Sequence, residues 1–506
     1  MRKRIVALVL LLSLAGSLIA TSQMFGELDE ASSSNNLAQL FLFNSILSYL
    51  RQGYVEEVDS KILIEGAIKG MLGKLDPHTT YMSPEEYKRL LSDTSGSFGG
   101  LGIEITITPE DNTLTVVAPI SGTPAERKGI KARDKIIAIN GESTKGIDIF
   151  DAISKMRGDP GTDCTITIKR NGIEQPFDVT ITREVIDVAS VRYAFMLTDK
   201  IGYLRLIRFS EDSPKEMFSA LDSLYQQGMQ GLVLDLRGNP GGLLDIAVDV
   251  ASIFLPKGEL VVYTEGRDGK NHRDYNSLGG ENYASLYDYS ENFENTPMVV
   301  LVDAASASAS EILAGALQDE KRATIIGENT FGKALVQTII PMPEGGTEKE
   351  PAALKMTIAH YYTPGGNMIQ GKGITPDIQL KYPEYPLITT KLIIADYHRR
   401  FAQYYLDNHP TDADVILAGD TQFSQELADF ALANDFHFYP KEFEETLLNA
   451  GEQFTREQIA NNEPILKRLV MRELLSEMKG DQSAYFYWQQ DDDWVKRATE
   501  ELEKIM

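Results

Sequence analysis

The sequence predicts an α/β core that carries an inserted small β-domain and is flanked by helical N- and C-terminal regions. Three observations predict it. From residue 200 to about 380, short apolar runs rich in β-branched residues alternate with stretches of helical period. Between 97 and 184, strand-length runs are separated by turn signals such as Asn140-Gly141 and Asn171-Gly172. Residues 36–75 and most of 385–506 read as helix. The expected division is 1–22 as a leader, 23–96 as a helical region, 97–184 as the β-domain, 185–382 as the α/β core and 383–506 as a second helical region.

At 506 residues the chain is long enough for three or four domains. Its net charge of −25 argues against nucleic acid, which needs a basic surface, and suits a soluble acidic protein. The single cysteine, Cys164, lies in an alternating strand and is expected to be half-buried. It leaves no intrachain disulfide, and no Cys/His spacing suggests zinc. No metal and no cofactor are expected.

The chain opens with Met1-Arg2-Lys3-Arg4 and a mainly apolar run of 16 residues over 5–20, which ends in the small-residue stretch Ala20-Thr21-Ser22. That pattern predicts an export signal, either cleaved or retained as a single anchor. With no nearby cysteine to carry a lipid, the expected location is periplasmic, free or anchored in the inner membrane and facing the periplasm. After a polar spacer, residues 36–52 predict a helix with a broad apolar face. A second helix follows Asp59. The pair needs something to cover that face, either the α/β body or a second subunit. In Asp76-Pro77-His78-Thr79, His78 reads as structural.

In the β-domain, Gly99-Gly100-Leu101-Gly102-Ile103 leads into a strand over 104–107. Glycines there free backbone N–H groups for a terminal carboxylate, and the strand edge can pair with an extended peptide. Gly100, Leu101, Gly102 and Ile103 are therefore the candidate peptide-binding residues. Further strands are expected over 113–118, 135–139, 165–170 and 177–182, with helices over 123–129 and 147–156. A β-domain without a ligand is the competing reading.

The core begins with a strand over 201–206 and a helix over 213–227. A buried strand over 232–236 runs into Arg237-Gly238-Asn239-Pro240-Gly241-Gly242. Its glycines let N–H groups approach a substrate carbonyl, although a plain helix-start turn looks the same. Residues 266–296 are polar and long for a connection, so a surface insertion near the cleft is expected. Residues 298–302 predict a buried strand that breaks, through small residues and Ser306, Ser308 and Ser310, into a helix from Glu311. A serine at such a break can be a nucleophile, with helix dipole behind it. Ser308-Ala309-Ser310-Glu311 equally fits a capping box, and the two roles are compatible. None of the histidines (His78, His272, His360, His398, His409, His437) is close in sequence. Lys333 is the alternative base, because a desolvated amine loses its charge. Gln337 lies four residues on, and strand alternation would put both on one face.

The acidic region 385–506 carries aromatics at Phe436, Phe438, Phe443, Tyr485, Tyr487 and Trp488. It would cap the core, mediate assembly or dock an adaptor. Its S-x-x-K string, Ser476 to Lys479, lacks the companion signatures of a β-lactamase and reads as chance.

The tracts S-A-S-A-S-E-I-L-A-G-A-L-Q-D, I-I-G-E-N-T-F-G-K-A-L-V-Q, L-D-L-R-G-N-P-G-G and Gly373-Ile374-Thr375-Pro376-Asp377 resemble the carboxy-terminal processing peptidases, tail-specific serine proteases. The resemblance covers about residues 75–380. It implies a ClpP/crotonase-like core and a PDZ domain that binds unfolded or flexible polypeptide C-termini. It further implies Ser308 as nucleophile, Lys333 as base 25 positions on (333 − 308), and Gln337 orienting the lysine. Oxyanion donors would come from the Gly241-Gly242 turn and the Ala309 N–H. Four sites depart from the family pattern: Asp303-Ala304-Ala305 for Asn and Gly, Ala334 for Gly, Asn367-Met368 for Arg-Ser, and Ala132-Arg133-Asp134 for Pro-Gly-Asp. The first two are small replacements expected to leave activity intact, the third is expected to alter a local contact, and the last to touch a turn and not the groove. Competing readings are a catalytically silent periplasmic binding or chaperone-like protein, and a Ser–Lys hydrolase of small esters or β-lactams.

Overall fold

The computed structural model describes residues 30–108, 112–170, 172–286, 292–347, 351–382, 386–394, 397–409, 425–427, 429–430, 433 and 455–506. The expected leader and spacer up to residue 29, and Phe436, His437, Phe438 and Phe443, lie outside the described residues. Among the described residues no helix is long and apolar enough to cross a membrane. The chain divides into two units: the described residues up to Pro84 with Ile339–Thr357, and Glu85–Thr338 with Ile358–Met506.

In the first unit, α1 (Glu30–Gly53) is followed by α2 (Ser60–Leu72). Asp59 stops the chain from fraying there, accepting the Lys61 N–H at 2.8 Å. The short strand β1 (Thr80–Met82) pairs antiparallel with residues 353–355, and Leu72, Tyr81 and Ala352 form a small core. The α1 face stays exposed, with Phe41 at 71% and Tyr49 at 76%. Asp76 closes the turn before β1 by accepting the N–H groups of His78 (2.7 Å) and Thr79 (2.8 Å). His78 thus sits in a side-chain-braced turn.

In the second unit, α3 (Pro84–Ser95) leads into the β-domain. Its elements are β2 (Ser97–Gly100), β3 (Ile103–Thr108), β4 (Thr113–Pro119), α4 (Pro124–Arg127), β5 (Lys135–Ile139), β6 (Glu142–Ser143), α5 (Ile149–Met156), β7 (Asp163–Lys169), β8 (Phe177–Thr182) and β9 (Glu184–Asp187). The sheet order is β3-β4-β5-β7-β8, with β6 on β5 and antiparallel pairing throughout. β2 and β9 pair separately and close the domain at its two ends. Cys164 is fully buried rather than half-buried, because it shares the inward face of β7 with Ile166 and Ile168. Arg133 stands at φ 69°, a left-handed conformation that glycine favours. Its guanidinium donates to the Gln403 side chain and to the Arg399 carbonyl (3.4 Å), so this departure reaches well beyond its turn.

The core follows as β10 (Val191–Met196), β11 (Ile201–Leu206), α6 (Ser213–Gln226), β12 (Gly231–Asp235), α7 (Leu244–Ser252), β13 (Leu260–Gly266), β14 (Arg273–Asn276), α8 (Gly280–Leu286), β15 (Met298–Val302), α9 (Ala309–Asp319), β16 (Thr324–Gly327), β17 (Leu335–Met342), β18 (Ala352–Tyr362) and β19 (Ile378–Gln379). The main sheet runs β10-β11-β12-β15-β16-β19, parallel except at β10. β12 and β15 are buried at every position, as strands covered on both faces must be. The expected insertion over 266–296 is in part ordinary structure: β14 pairs with β13, α8 follows, and Phe293 is buried in the main core.

The C-terminal helices are α10 (Leu387–Ile394), α11 (Tyr397–Asn408), α12 (Arg456–Ala460), α13 (Glu463–Lys479), α14 (Asp481–Gln489) and α15 (Asp493–Ile505). α10, α11, α12 and α13 share their own core through Leu392, Phe401, Ile459 and Val470. In contrast, α15 covers one face of the main sheet. Its Trp494, Val495, Ala498 and Leu502 pack on Val233, Val299 and Leu301. Ser476, of the S-x-x-K string, donates its hydroxyl to Asp481 on the helix surface (2.5 Å).

Candidate active site

β15 ends at Val302, and the turn to α9 is built by one carboxylate. Asp303 Oδ1 accepts the N–H groups of Ala305 (3.0 Å) and Ser306 (3.0 Å), and that of Gly238 (2.9 Å) in the glycine loop. The three serines of the turn then differ sharply. Ser306 and Ser310 are fully buried, and their hydroxyls donate to the carbonyls of Leu236 (2.8 Å) and Asn239 (3.0 Å). Ser308 is only partly buried and adopts φ 55°, ψ −112°. A residue with a Cβ is strained there by roughly 1–3 kcal/mol, so its surroundings must impose the conformation.

Glu311 is part of what imposes it. Its carboxylate is fully buried and accepts four donors: the Ser308 N–H (2.8 Å) and Lys333 N–H (2.9 Å) on Oε2, and the Thr330 hydroxyl (2.6 Å) and Gly332 N–H (2.6 Å) on Oε1. Burial pushes this carboxyl above its ordinary value, and the four donors offset only part of that rise. Ser308 is also the N-cap of α9, so the capping position and the strained serine coincide. Tyr361 makes a second bridge, its hydroxyl lying against the carbonyls of Ser308 (3.1 Å) and Lys333. A third tie runs from the Phe331 N–H to the Ser306 carbonyl (3.0 Å). The backbones of Ser308 and Lys333 are therefore held side by side.

Lys333 differs from its expected setting. It precedes β17, which starts at Leu335, while Gln337 lies within the strand. Gly332 (φ 87°) packs so tightly on the 371–373 turn that a Cβ would lie 2.9 Å from the Lys372 and Gly373 nitrogens. The Ala334 N–H is taken by the Gln370 side chain (2.7 Å) rather than by a neighbouring strand. Both Lys333 and Gln337 are partly buried.

The glycine loop leans on the same helix start. A Cβ on Gly241 (φ 98°) would lie 2.6 Å from the Ala307 carbonyl and 2.8 Å from the Ala309 nitrogen. The Gly241 N–H donates to Asn239 Oδ1 (2.9 Å), so it is already committed within its own turn. Gly242 packs on the Phe209 backbone, and the next residue, Leu243, donates its N–H to Phe209 (3.1 Å). The expected peptide-binding residues lie elsewhere, at the head of β3. The Leu101 side chain is buried in the β-domain core, and Gly102 (φ 80°) packs on Thr123. Gly100 ends β2 and Ile103 begins β3. β3 ends the sheet order and pairs with β4 alone among the described strands, which leaves an edge.

Sequence reasoning missed Tyr361, Asn239 and the organising role of Asp303. Glu311 was visible only as a helix cap. A further cluster behind the loop was also missed. Arg237 is buried against Asp235, its Nη2 donating to Oδ2 at 2.7 Å, and its Nη1 donates to Asp492 of the carboxy-terminal segment at 2.7 Å.

Comparison with known proteins identifies the domains. Residues 200–380 match peptidase family S41, residues 115–170 the PDZ domain, and residues 17–86 the activating protease CtpB N-terminal domain. A carboxy-terminal-processing protease of Bartonella bacilliformis is 43% identical over 387 residues, spanning 76% of this chain and 84% of that one. The carboxy-terminal processing protease CtpA of Bacillus subtilis is 36% identical over 71% of this chain and 72% of its own. With an S41 core, a PDZ domain and relatives matched across most of both lengths, the chain belongs to the carboxy-terminal processing serine proteases of peptidase family S41.

Proposed function

We propose that this chain is an exported endopeptidase with a Ser–Lys dyad that acts on proteins through their flexible C-terminal tails. The observation that carries the reading is the strained Ser308, whose N–H shares the Glu311 carboxylate with the Lys333 N–H. Ser308 Oγ attacks the peptide carbonyl carbon while neutral Lys333 takes its proton and Gln337 orients the amine. The carbonyl oxygen becomes an oxyanion held by the N–H groups of Ala309 and Gly242, since that of Gly241 is committed to Asn239. The C–N bond then breaks, and Lys333 returns the proton to the leaving amine. Water, deprotonated by Lys333, hydrolyses the acyl-enzyme and restores Ser308.

The PDZ domain captures the tail. Its carboxylate meets N–H groups at Gly100, Leu101, Gly102 and Ile103, and its backbone adds to the β3 edge. The basic start and apolar run over 5–20 support export to the periplasm, free or membrane-anchored. The exposed α1 face supports association with a second copy or an adaptor.

The test is digestion of an unfolded reporter with a free apolar C-terminus by wild type, Ser308→Ala and Lys333→Arg. Cleavage by wild type alone is expected, because a guanidinium stays charged and cannot serve as base. Turnover by Lys333→Arg would remove the base assignment. Physiological activity retained in Ser308→Ala would favour a binding or chaperone-like protein, and cleavage of small esters but not peptides a simpler hydrolase. An amidated reporter tests the PDZ role, with a raised KM expected.

A further inference from the structure

The loop 237–242 is fixed from two sides. Toward the nucleophile, Gly238 and Asn239 bond to Asp303, Ala307 and Ser310. On the other side its first residue, Arg237, is 4% exposed, and its guanidinium is held by partners far apart in sequence. Nε lies 3.0 Å from both Asp235 oxygens, Nη2 donates to Asp235 Oδ2 (2.7 Å) and Gln489 Oε1 (3.2 Å), and Nη1 donates to Asp492 Oδ2 (2.7 Å). The Trp494 ring lies 5.6 Å from the guanidinium carbon. Arg205 completes the cluster, reaching Asp235 Oδ2 (3.4 Å) and the Arg237 carbonyl (3.1 Å).

The charges of this cluster balance: Arg205 and Arg237 against Asp235 and Asp492. Removing Asp492 leaves an excess positive charge in a buried setting, and the guanidinium must shift to relieve it. Asp492 also has a second duty. Its Oδ1 accepts the N–H groups of Trp494 (2.9 Å) and Val495 (3.2 Å) and so starts α15. One carboxylate therefore joins the helix that covers the core sheet to the loop that presses on the nucleophile's helix start.

We propose that Asp492 is a positioning residue for the reaction: through Arg237 it holds the glycine loop in the register that offers an N–H to the oxyanion. The inference rests on the Ser308 reading above. It gives one residue of the carboxy-terminal segment, Asp492, a supporting role in the reaction, exerted through Arg237.

The variant that separates the two duties is Asp492→Asn. Asparagine caps a helix as well as aspartate does but carries no charge for Arg237. Leu502→Ala is the control, since Leu502 packs α15 on the sheet without touching the loop. Full-length proteins would be compared for kcat, KM, melting temperature and inhibition by a peptide aldehyde, whose serine adduct puts an oxygen where the oxyanion forms. Asp492→Asn is expected to lower kcat about 10- to 100-fold and raise the aldehyde Ki by the same factor, with KM within about two-fold. Asp492→Glu is expected to recover part of the loss. Leu502→Ala should lower the melting temperature and leave kcat and Ki unchanged. Wild-type kcat and Ki in Asp492→Asn would overturn the inference. So would equal loss of kcat in both variants, because helix stability alone would then account for it. Labelling by a fluorophosphonate separates the underlying reading. If wild type takes the label and Ser308→Ala does not, only the role of Asp492 is in question; if wild type takes none and cleaves nothing, both fall.

Discussion

Ser308 combines two demands that rarely fall on one residue. It begins α9 and it holds a positive φ, and both are met by the Glu311 carboxylate returning to its N–H. Glu311→Gln would put an amide where four donors converge, so at least one donor faces another. We expect a stability loss of about 1–3 kcal/mol by denaturant titration, from an unsatisfied buried donor, together with a fall in kcat. Unchanged kcat would mean that the shared carboxylate does not set the Ser308–Lys333 geometry. At Gly241 the expectation is steric. A methyl group 2.6 Å from the Ala307 carbonyl must push the loop away from Ser308, so Gly241→Ala should cut kcat/KM at least 100-fold, as loss of an oxyanion donor does. Its melting temperature should fall far less steeply than its activity.

At the scale of elements, the glycine loop and the carboxy-terminal helices are joined by buried charge. Burial alone would raise the Asp235 carboxyl, but the guanidiniums of Arg237 and Arg205 outweigh it and hold it below its ordinary value. A lowered folded pKa contributes stability above the unfolded value, and that contribution is lost as pH falls from about 4 toward the folded value. Asp235→Asn should therefore cost about 3–5 kcal/mol at neutral pH, by leaving Arg237 charged with one partner fewer. Stability measured below about pH 4 should fall less steeply in the variant than in wild type. Glu311 has the opposite sign: its raised carboxyl makes its burial least unfavourable in acid and more costly as pH rises through the folded value. Arg133 offers a different link. A side chain at φ 69° costs about 1–2 kcal/mol, which Arg133→Gly would recover while losing the contacts to α11. Hydrogen exchange in α11 should then quicken while the β-domain itself holds or gains stability. Unaltered exchange there would mean that the contact does not stabilise α11.

For the whole molecule, the dominant quantity is the net charge of −25. A tail must diffuse into a negative field, so tails ending in basic or neutral residues should be cut with lower KM than acidic ones at low ionic strength. The gap should close near 1 M salt, where screening shortens the field to about 3 Å. A KM ratio indifferent to salt would put the preference in local contacts of the cleft.

Much of this was legible in the chain itself. Periodicity marked the helices and the strands of the core, because a buried strand must be apolar at every position, as β12 and β15 are. Small residues between β15 and α9 marked the turn that carries Ser308, and the resemblance singled out Lys333 and Gln337 downstream of it. Local pattern could not say which serine keeps a free duty. Ser306 and Ser310 are committed to carbonyls of Leu236 and Asn239, about 70 residues away in the chain, and only folding brings those together. Nor could it foresee that Glu311 joins Ser308 to Lys333, that Gly241 spends its N–H on Asn239, or that Asp492 reaches Arg237. Those are hydrogen bonds and charges satisfied across long sequence separations. Sequence alone determined which elements form and which side chains are available for chemistry. The tertiary structure decided their partners, because a buried polar group must be matched by whatever group the fold brings within reach.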